Sequence, residues 1–170
     1  PAGAVADTHI CAAYDDVSAL KQLYELCPAI TTEFENVPAA SLDRLAKHSR
    51  VTPNGHAVSI VQDRIREKEF MVKAGVAVAP YCAVRSIQDL LHADAGLLPG
   101  ILKAARFGYD GKGQARVQNK EEALAAFANF GQVACVLEAL QPLQDEISVV
   151  VARSLDGKTA TYTPSYNQHR

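Results

Sequence analysis

The residues best suited to chemistry lie in one glycine-rich segment and on the strand before it. The segment consists of Gly108, Tyr109, Asp110, Gly111, Lys112, Gly113 and Gln114, and Lys103 precedes it by five positions. Its glycines permit positive φ angles and let backbone N–H groups approach an anion closely. A lysine on the preceding strand directs a compact positive charge at the same place. The pattern therefore predicts a phosphate-binding loop. The alternatives are a mobile hairpin turn and, for Lys103, a packed stem with a solvated ammonium group.

The spacing separates this loop from two common phosphate-binding motifs. It has no Gly-Lys-Ser/Thr sequence opening a helix, as a P-loop requires, and no helix follows it, as in the dinucleotide fingerprint. Residues 100–106 and 114–118 instead resemble short strands on either side of it. The loop is therefore predicted to be the tip of a β-hairpin and to act as a flexible lid.

Two carboxylates and one arginine are weaker candidates. Glu138 ends an apolar strand and Glu146 begins another, where they would accept hydrogen bonds from a sugar or a purine amine. Carboxylates at strand ends are also commonly just solvated. Arg64 lies in an acidic and basic helical run, and its spacing alone favours a surface ion-pair face. The histidines show no metal-ligand spacing, so no metal site is predicted.

Composition excludes several classes of protein. The 170 residues include seventeen Lys and Arg against nineteen Asp and Glu, with no basic run, so no nucleic-acid surface is predicted. Apolar stretches are too short for a membrane span, so no membrane association is predicted. The four cysteines have no paired spacing and suit a reducing cytoplasm, each packed as a small core residue.

Periodicity and turn residues predict a mixed α/β chain with a boundary near residues 76–80. Helices are expected over 17–26, 39–47, 54–61, 62–74, 87–93 and 120–129, and strands over 29–34, 81–84, 100–106, 114–118, 133–138 and 146–154. The Asp156-Gly157 pair predicts a hairpin turn. In the helix over 62–74, the residues expected to face inward are Ile65, Phe70, Met71 and Ala74.

Five segments together resemble the ATP-grasp family, in the family's order and across nearly the whole chain. They are TTEFENVP at 31–38, QDRIREKEF at 62–70, LKAARFGYDGKGQ at 102–114, LEALQPLQDEISVVVAR at 137–153 and YNQH at 166–169. Within the family, the resemblance is strongest to the ligases that carboxylate aminoimidazole ribonucleotide. It implies an α/β fold in which residues 1–75 belong to a partial pre-ATP-grasp domain. Residues 76–170 would then hold the small α+β lid subdomain and the start of the next segment.

The resemblance also implies an activity. ATP and bicarbonate would form carboxyphosphate, which carboxylates the amine of aminoimidazole ribonucleotide in purine biosynthesis. The enzyme would be a cytoplasmic ligase or lyase and a possible homodimer. The family alternatives are a formate-dependent glycinamide ribonucleotide transformylase and a biotin carboxylase-like ligase, and the alternative of another class is a non-catalytic nucleotide-binding fragment.

Residue roles follow from the same resemblance. Arg64 and Lys103 would contact ATP, and the loop from Gly108 to Gln114 would cover its phosphates. The adenine would meet Glu138, Ala139, Leu140 and Gln141, while Glu146 would reach the ribose and His169 would lie on the nucleotide side. The Mg²⁺ that accompanies ATP would take its ligands from protein outside this chain, which is expected to be inactive alone.

Overall fold

The computed structural model describes residues 2–108 and 113–167. The chain forms two units, Pro1–Leu140 and Gln141–Arg170. The boundary predicted between residues 75 and 76 stays a prediction. Tyr109, Asp110, Gly111, Lys112 and His169 lie outside the described residues.

The first unit begins with a small helical region around two short parallel strands. A 3-10 turn over Ala2–Ala4 precedes α1 (Val17–Leu26), β1 (Ala29–Ile30), α2 (Ala39–Leu45), β2 (Arg50–Val51), α3 (Gly55–Val61) and α4 (Arg64–Lys73). Strands β1 and β2 pair in parallel, with Ala29 opposite Arg50. Asp16 caps the N-terminus of α1, because its side chain accepts a hydrogen bond from the Ala19 N–H. The strand predicted over 29–34 is shorter in the structure, where β1 covers only Ala29–Ile30.

Helix α4 presents a polar and apolar stripe to the sheet that follows it. Asp63 begins the helix by accepting from the backbone N–H groups of Ile65 and Arg66. Gly75 ends it with a φ of 76°, a left-handed conformation that favours glycine. Ile65 is buried as predicted, but Phe70 is 53% exposed and Ala74 is also exposed, so that part of the prediction is wrong. The physical reason is the rotation of α4 about its own axis, which places Arg64 and Lys68 on the inward side together with Ile65.

A four-stranded antiparallel sheet forms the centre of the first unit. Its strands are β3 (Tyr81–Val84), β4 (Gly100–Ala104), β5 (Gln114–Val117) and β6 (Cys135–Ala139), in the spatial order β3-β6-β4-β5. Helices α5 (Ile87–His92) and α6 (Lys120–Asn129) cover one face, and a 3-10 turn spans Ala95–Leu97. The fully buried residues on that face include Val84, Leu102, Phe127 and Leu137. The predicted hairpin of β4 and β5 is confirmed.

The second unit consists of short strand pairs. Strand β7 (Ile147–Ser148) pairs with β10 (Ser165–Tyr166), and β8 (Val151–Arg153) pairs with β9 (Thr159–Thr161), both antiparallel. The strand predicted over 146–154 is thus two strands with different partners. The turn predicted at Asp156-Gly157 connects β8 to β9, as expected.

The described residues confirm the mixed α/β class. Across residues 2–108 and 113–167, no helix has both the length and the apolar character needed to cross a membrane. Their cysteines are less uniform than predicted. Cys135 is buried, whereas Cys11 is exposed, so packing as a core residue is wrong for Cys11.

Candidate nucleotide-binding site

Lys103 is directed away from the apolar core by strand alternation. Its neighbour Leu102 is fully buried against α5 and α6, so Lys103 points to the opposite face of the sheet. In the antiparallel pairing of β4 with β6, Lys103 lies opposite Val136 and Ile101 lies opposite Glu138. Lys103 and Glu138 are therefore diagonal neighbours on one face. Lys103 Nζ lies 3.0 Å from Glu138 Oε2.

A second lysine reaches the same carboxylate from helix α4. Lys68 Nζ lies 3.4 Å from Glu138 Oε1, and it also lies 5.2 Å from the centre of the Tyr81 ring. The side chains of Lys68 and Glu138 are each only 13% exposed, and that of Lys103 is 22% exposed. We call Lys68, Lys103 and Glu138 the lysine cluster. It carries a net charge of +1, because one carboxylate faces two ammonium groups.

Arg64 contacts the start of the glycine-rich loop. Its guanidinium Nη2 donates a hydrogen bond to the Gly108 carbonyl at 3.1 Å. Its backbone N–H donates to the Ala105 carbonyl at 2.9 Å, which fixes the first turn of α4 beside the end of β4. Arg64 is half-buried. It therefore lies against the loop, in contrast to the surface ion-pair face that its spacing alone favoured.

The described ends of the loop close the β4–β5 hairpin. The Ala104 N–H donates to the Gly113 carbonyl at 2.7 Å, and Lys103 lies opposite Gln114 in the strand pairing. Gly113 has a φ of 72°, and a Cβ added there would lie 3.2 Å from the Cβ of Ala104. Glycine is therefore the residue that fits this position.

A cleft of about 440 Å³ opens beside Arg64 and the loop. The nine residues that line it are Glu35, Asn36, Val61, Gln62, Arg64, Glu67, Ala105, Phe107 and Gly108. Gln62 fixes one wall, because its side-chain N–H group donates to the carbonyls of Glu35 and Val37, each at 2.6 Å. The segment 31–38 and the loop thus meet at one cleft, which sequence spacing did not reveal.

The other predicted residues are distributed over both units. Ala139 ends β6 and its N–H donates to the Pro80 carbonyl, while the Leu140 N–H donates to the Pro99 carbonyl. Gln141 begins the second unit. Within that unit, Glu146 Oε1 accepts a hydrogen bond from Asn167 Nδ2 at 2.9 Å. In the first unit Arg64 contacts Gly108 at the start of the loop, and Lys103 contacts Glu138. Neither Lys103 nor Glu138 is among the residues that line the cleft beside Arg64.

Lys68 was not among the site residues predicted from the sequence. Its signal is the helical spacing of Arg64, Ile65 and Lys68, which places all three on one side of α4. The spacing of the charges around them favoured a surface ion-pair face instead. Lys68 is identified only once the rotation of α4 against the sheet is known.

The arrangement suits a polyanion. Lys103 lies opposite Gln114 at one end of the glycine-rich loop, and the Arg64 guanidinium contacts Gly108 at the other. The backbone N–H groups of such loops are a common phosphate ligand. Among the described residues, no group of three or more His, Cys, Asp or Glu side chains is arranged to hold a metal ion. Burial raises the pKa of the Cys135 thiol to about 11, which keeps it protonated and unreactive near neutral pH.

Two domain-family models match this chain and identify its protein family. Residues 69–170 match the model of the ATP-grasp domain, and residues 1–62 match the ribonucleotide synthetase preATP-grasp domain. The chain belongs to the ATP-grasp family, as its five segments predicted.

The most similar relatives share one enzyme name. The chain is similar to the N5-carboxyaminoimidazole ribonucleotide synthase of Brucella melitensis biotype 1, with 40% identity over 100% of this chain and 48% of that protein. The Bacillus subtilis (strain 168) protein of the same name is 37% identical over 99% of this chain and 45% of its own length. The chain therefore spans about half the length of the curated relatives it matches.

Solved structures of synthetases with the same name are also similar to this chain. A crystal structure of the ADP complex of an N5-carboxyaminoimidazole ribonucleotide synthetase matches with a TM-score of 0.91 and 36% identity, over 99% of this chain and 45% of that one. The Staphylococcus aureus synthetase complexed with ADP matches with a TM-score of 0.89 and 33% identity, again over 99% and 45%.

Proposed function

We propose that the complete protein containing this chain is an ATP-dependent ligase that carboxylates aminoimidazole ribonucleotide with bicarbonate. The observation that carries the proposal is the similarity to N5-carboxyaminoimidazole ribonucleotide synthases over the whole chain, at up to 40% identity in the relatives named above. The basic site beside the glycine-rich loop supports it, because the reaction begins with a nucleoside triphosphate. The protein would then act in purine biosynthesis in the cytoplasm, and a homodimer is part of the proposal.

The reaction consists of two substitutions. An oxygen of bicarbonate attacks the γ-phosphorus of ATP, and ADP leaves, so that carboxyphosphate forms. The amine nitrogen of aminoimidazole ribonucleotide then attacks the carboxyl carbon and loses a proton, and phosphate leaves. Charge builds up on phosphoryl oxygens in the first substitution, so fixed positive groups lower its barrier.

The proposed residue roles divide the site by nucleotide moiety. Lys103 and Arg64 bind the phosphates of ATP, and the loop Gly108 to Gln114 covers them. Glu138, Ala139, Leu140 and Gln141 form the segment that meets the adenine. Glu146 binds the ribose and His169 lies on the nucleotide side. We propose that the ligands of Mg²⁺, which offsets charge on ATP when bound, are supplied outside this chain.

The test is an assay of the complete protein with ATP, Mg²⁺, aminoimidazole ribonucleotide and ¹³C-bicarbonate. We expect phosphate release that depends on the ribonucleotide, together with a ¹³C carbamate signal in the product. Activity with glycinamide ribonucleotide and formate instead would support the transformylase alternative. Binding of ADP without any turnover would support a non-catalytic nucleotide-binding protein and contradict the proposal.

A further inference from the structure

The lysine cluster contains one cation more than its carboxylate needs. Glu138 uses both oxygens, with Oε2 at 3.0 Å from Lys103 and Oε1 at 3.4 Å from Lys68. A single ammonium group would already neutralise this carboxylate. The presence of a second ammonium group therefore needs an explanation, since burying an extra charge is costly in free energy.

The two lysines differ in their surroundings. Lys68 lies over the Tyr81 ring and projects from a helix that Ile65 anchors in the core. Lys103 is the more exposed of the two, at 22% against 13%, and its strand leads directly into the glycine-rich loop. An anion at the loop would therefore attract Lys103 away from Glu138 and leave Lys68 in place.

We propose that Lys68 is a positioning residue that keeps Glu138 charge-paired when Lys103 turns from Glu138 to a nucleotide phosphate. This inference rests on the proposed function, because it requires a nucleotide at Lys103. Without Lys68, binding a phosphate would leave Glu138 as a largely buried carboxylate with its described cation partners gone. With Lys68, Lys103 exchanges one anion for another while Glu138 stays paired.

The proposal differs from direct contact between Lys68 and the nucleotide. If Lys68 acts through Glu138, its effect on affinity must disappear when Glu138 carries no charge. If Lys68 binds phosphate itself, its effect must persist in that background. A double-mutant cycle between Lys68→Met and Glu138→Gln separates the two cases.

The experiment measures ADP affinity of the complete protein by isothermal titration calorimetry. The variants are Lys68→Met, Lys68→Arg, Glu138→Gln and the double variant Lys68→Met/Glu138→Gln. The matched control is Lys73→Met, which removes an exposed lysine from the same helix.

We expect Lys68→Met to weaken ADP binding by about tenfold, as for loss of a charged partner. Lys68→Arg keeps the charge and should retain most of the affinity, and the control should match the wild type.

The decisive comparison is within the Glu138→Gln background. We expect Lys68→Met/Glu138→Gln to bind ADP as well as Glu138→Gln alone. A further loss of about tenfold in the double variant would overturn the proposal in favour of direct phosphate contact. The double variant has no unpaired carboxylate at position 138, so this comparison stands even if Lys68→Met alone does not fold.

Failure of the inference can be distinguished from failure of the proposed function. A wild-type protein that does not bind ADP would contradict both. A wild-type protein that binds ADP, loses affinity on Lys103→Ala and keeps it on Lys68→Met would contradict the inference alone.

Discussion

Lys103 and Glu138 are 35 residues apart in the chain, yet their side chains meet at 3.0 Å on one face of the central sheet. The contact depends on the antiparallel register of β4 with β6, which makes the two residues diagonal neighbours. The opposite face of the same strands is filled by the apolar core. The face that carries Lys103 is itself partly apolar, because Val136, directly opposite Lys103, is fully buried in a smaller cluster with Ile65 and Ala105. The ion pair of Lys103 with Glu138 therefore lies beside this second cluster and is only partly exposed.

The first prediction concerns the charge of Lys103. Lys103→Ala in the complete protein should weaken ATP binding about tenfold to hundredfold, since a hydrogen bond to a charged group contributes about 1.5–3 kcal/mol. Turnover should fall as well, because the same charge stabilises the transferring phosphoryl group. Steady-state kinetics over a range of ATP concentrations measure both effects. Lys73→Ala, at an exposed position of α4, is the control, and unchanged ATP kinetics in Lys103→Ala would refute the assignment.

The second prediction concerns the glycine that closes the hairpin. Gly113→Ala should lower the free energy of unfolding by about 1–2 kcal/mol, because alanine is strained at a positive φ. It should also weaken ADP binding, since the new Cβ would lie 3.2 Å from the Cβ of Ala104 and press on the hairpin.

Gly75→Ala is the matched control for this substitution. Gly75 has a φ of 76°, and an added Cβ would have no neighbour within 4 Å. Thermal unfolding and ADP titration should therefore show a stability loss in both variants, but an affinity loss only in Gly113→Ala. Equal ADP affinity in the two variants would argue against a binding role for the hairpin end.

The third prediction concerns thiol reactivity. Cys135 is buried, and desolvation raises the pKa of its thiol to about 11, whereas Cys11 is exposed. Because only the thiolate is nucleophilic, iodoacetamide at pH 8 should modify Cys11 and leave Cys135 intact in the folded chain. Peptide mass mapping after the reaction tests this. Modification of Cys135 at a rate similar to that of Cys11 would show that the strand β6 opens readily.

The same shift predicts a pH dependence of stability. The folded state keeps the Cys135 proton to higher pH than the unfolded state, whose thiol has a pKa near 9.0. The unfolded state therefore binds fewer protons between about pH 9 and pH 11, and the contribution of Cys135 to stability falls as the pH rises through this range. Cys135→Ala should show a smaller decline than the wild type in denaturant titrations.

Local patterns predicted the elements better than their contacts. Helix α1 and strand β3 have the predicted bounds, because Asp16 caps the helix and both segments have clear periodicity. Strands β2 and β10 were missed, since each has only two residues and owes its conformation to a partner distant in the chain. The long strand expected over 146–154 is divided because β7 and β8 pair with different partners.

The candidate site shows the same division. The loop and Lys103 follow from composition and alternation, which are local. The contact of Lys68 with Glu138 requires both the rotation of α4 and the register of β6, and neither is encoded in a short window. For the same reason the spacing around Arg64 favoured a surface ion-pair face, whereas the family resemblance predicted a contact with ATP. In the structure its guanidinium donates to the Gly108 carbonyl.

The last prediction concerns the 170-residue chain by itself. We expect no turnover of ATP, because phosphoryl transfer to bicarbonate needs metal ions to offset the charge of the triphosphate. The residues that the structure describes hold no group of three or more potential metal ligands, and Glu138 is engaged by two lysines. Weak nucleotide binding should survive through Lys103, Arg64 and the hairpin.

The assay measures phosphate release by the purified chain with ATP, Mg²⁺, bicarbonate and aminoimidazole ribonucleotide, with the complete protein as the positive control. Turnover near that of the complete protein would contradict the proposed location of the Mg²⁺ ligands outside this chain, and with it the residue roles assigned to Glu138 and Glu146.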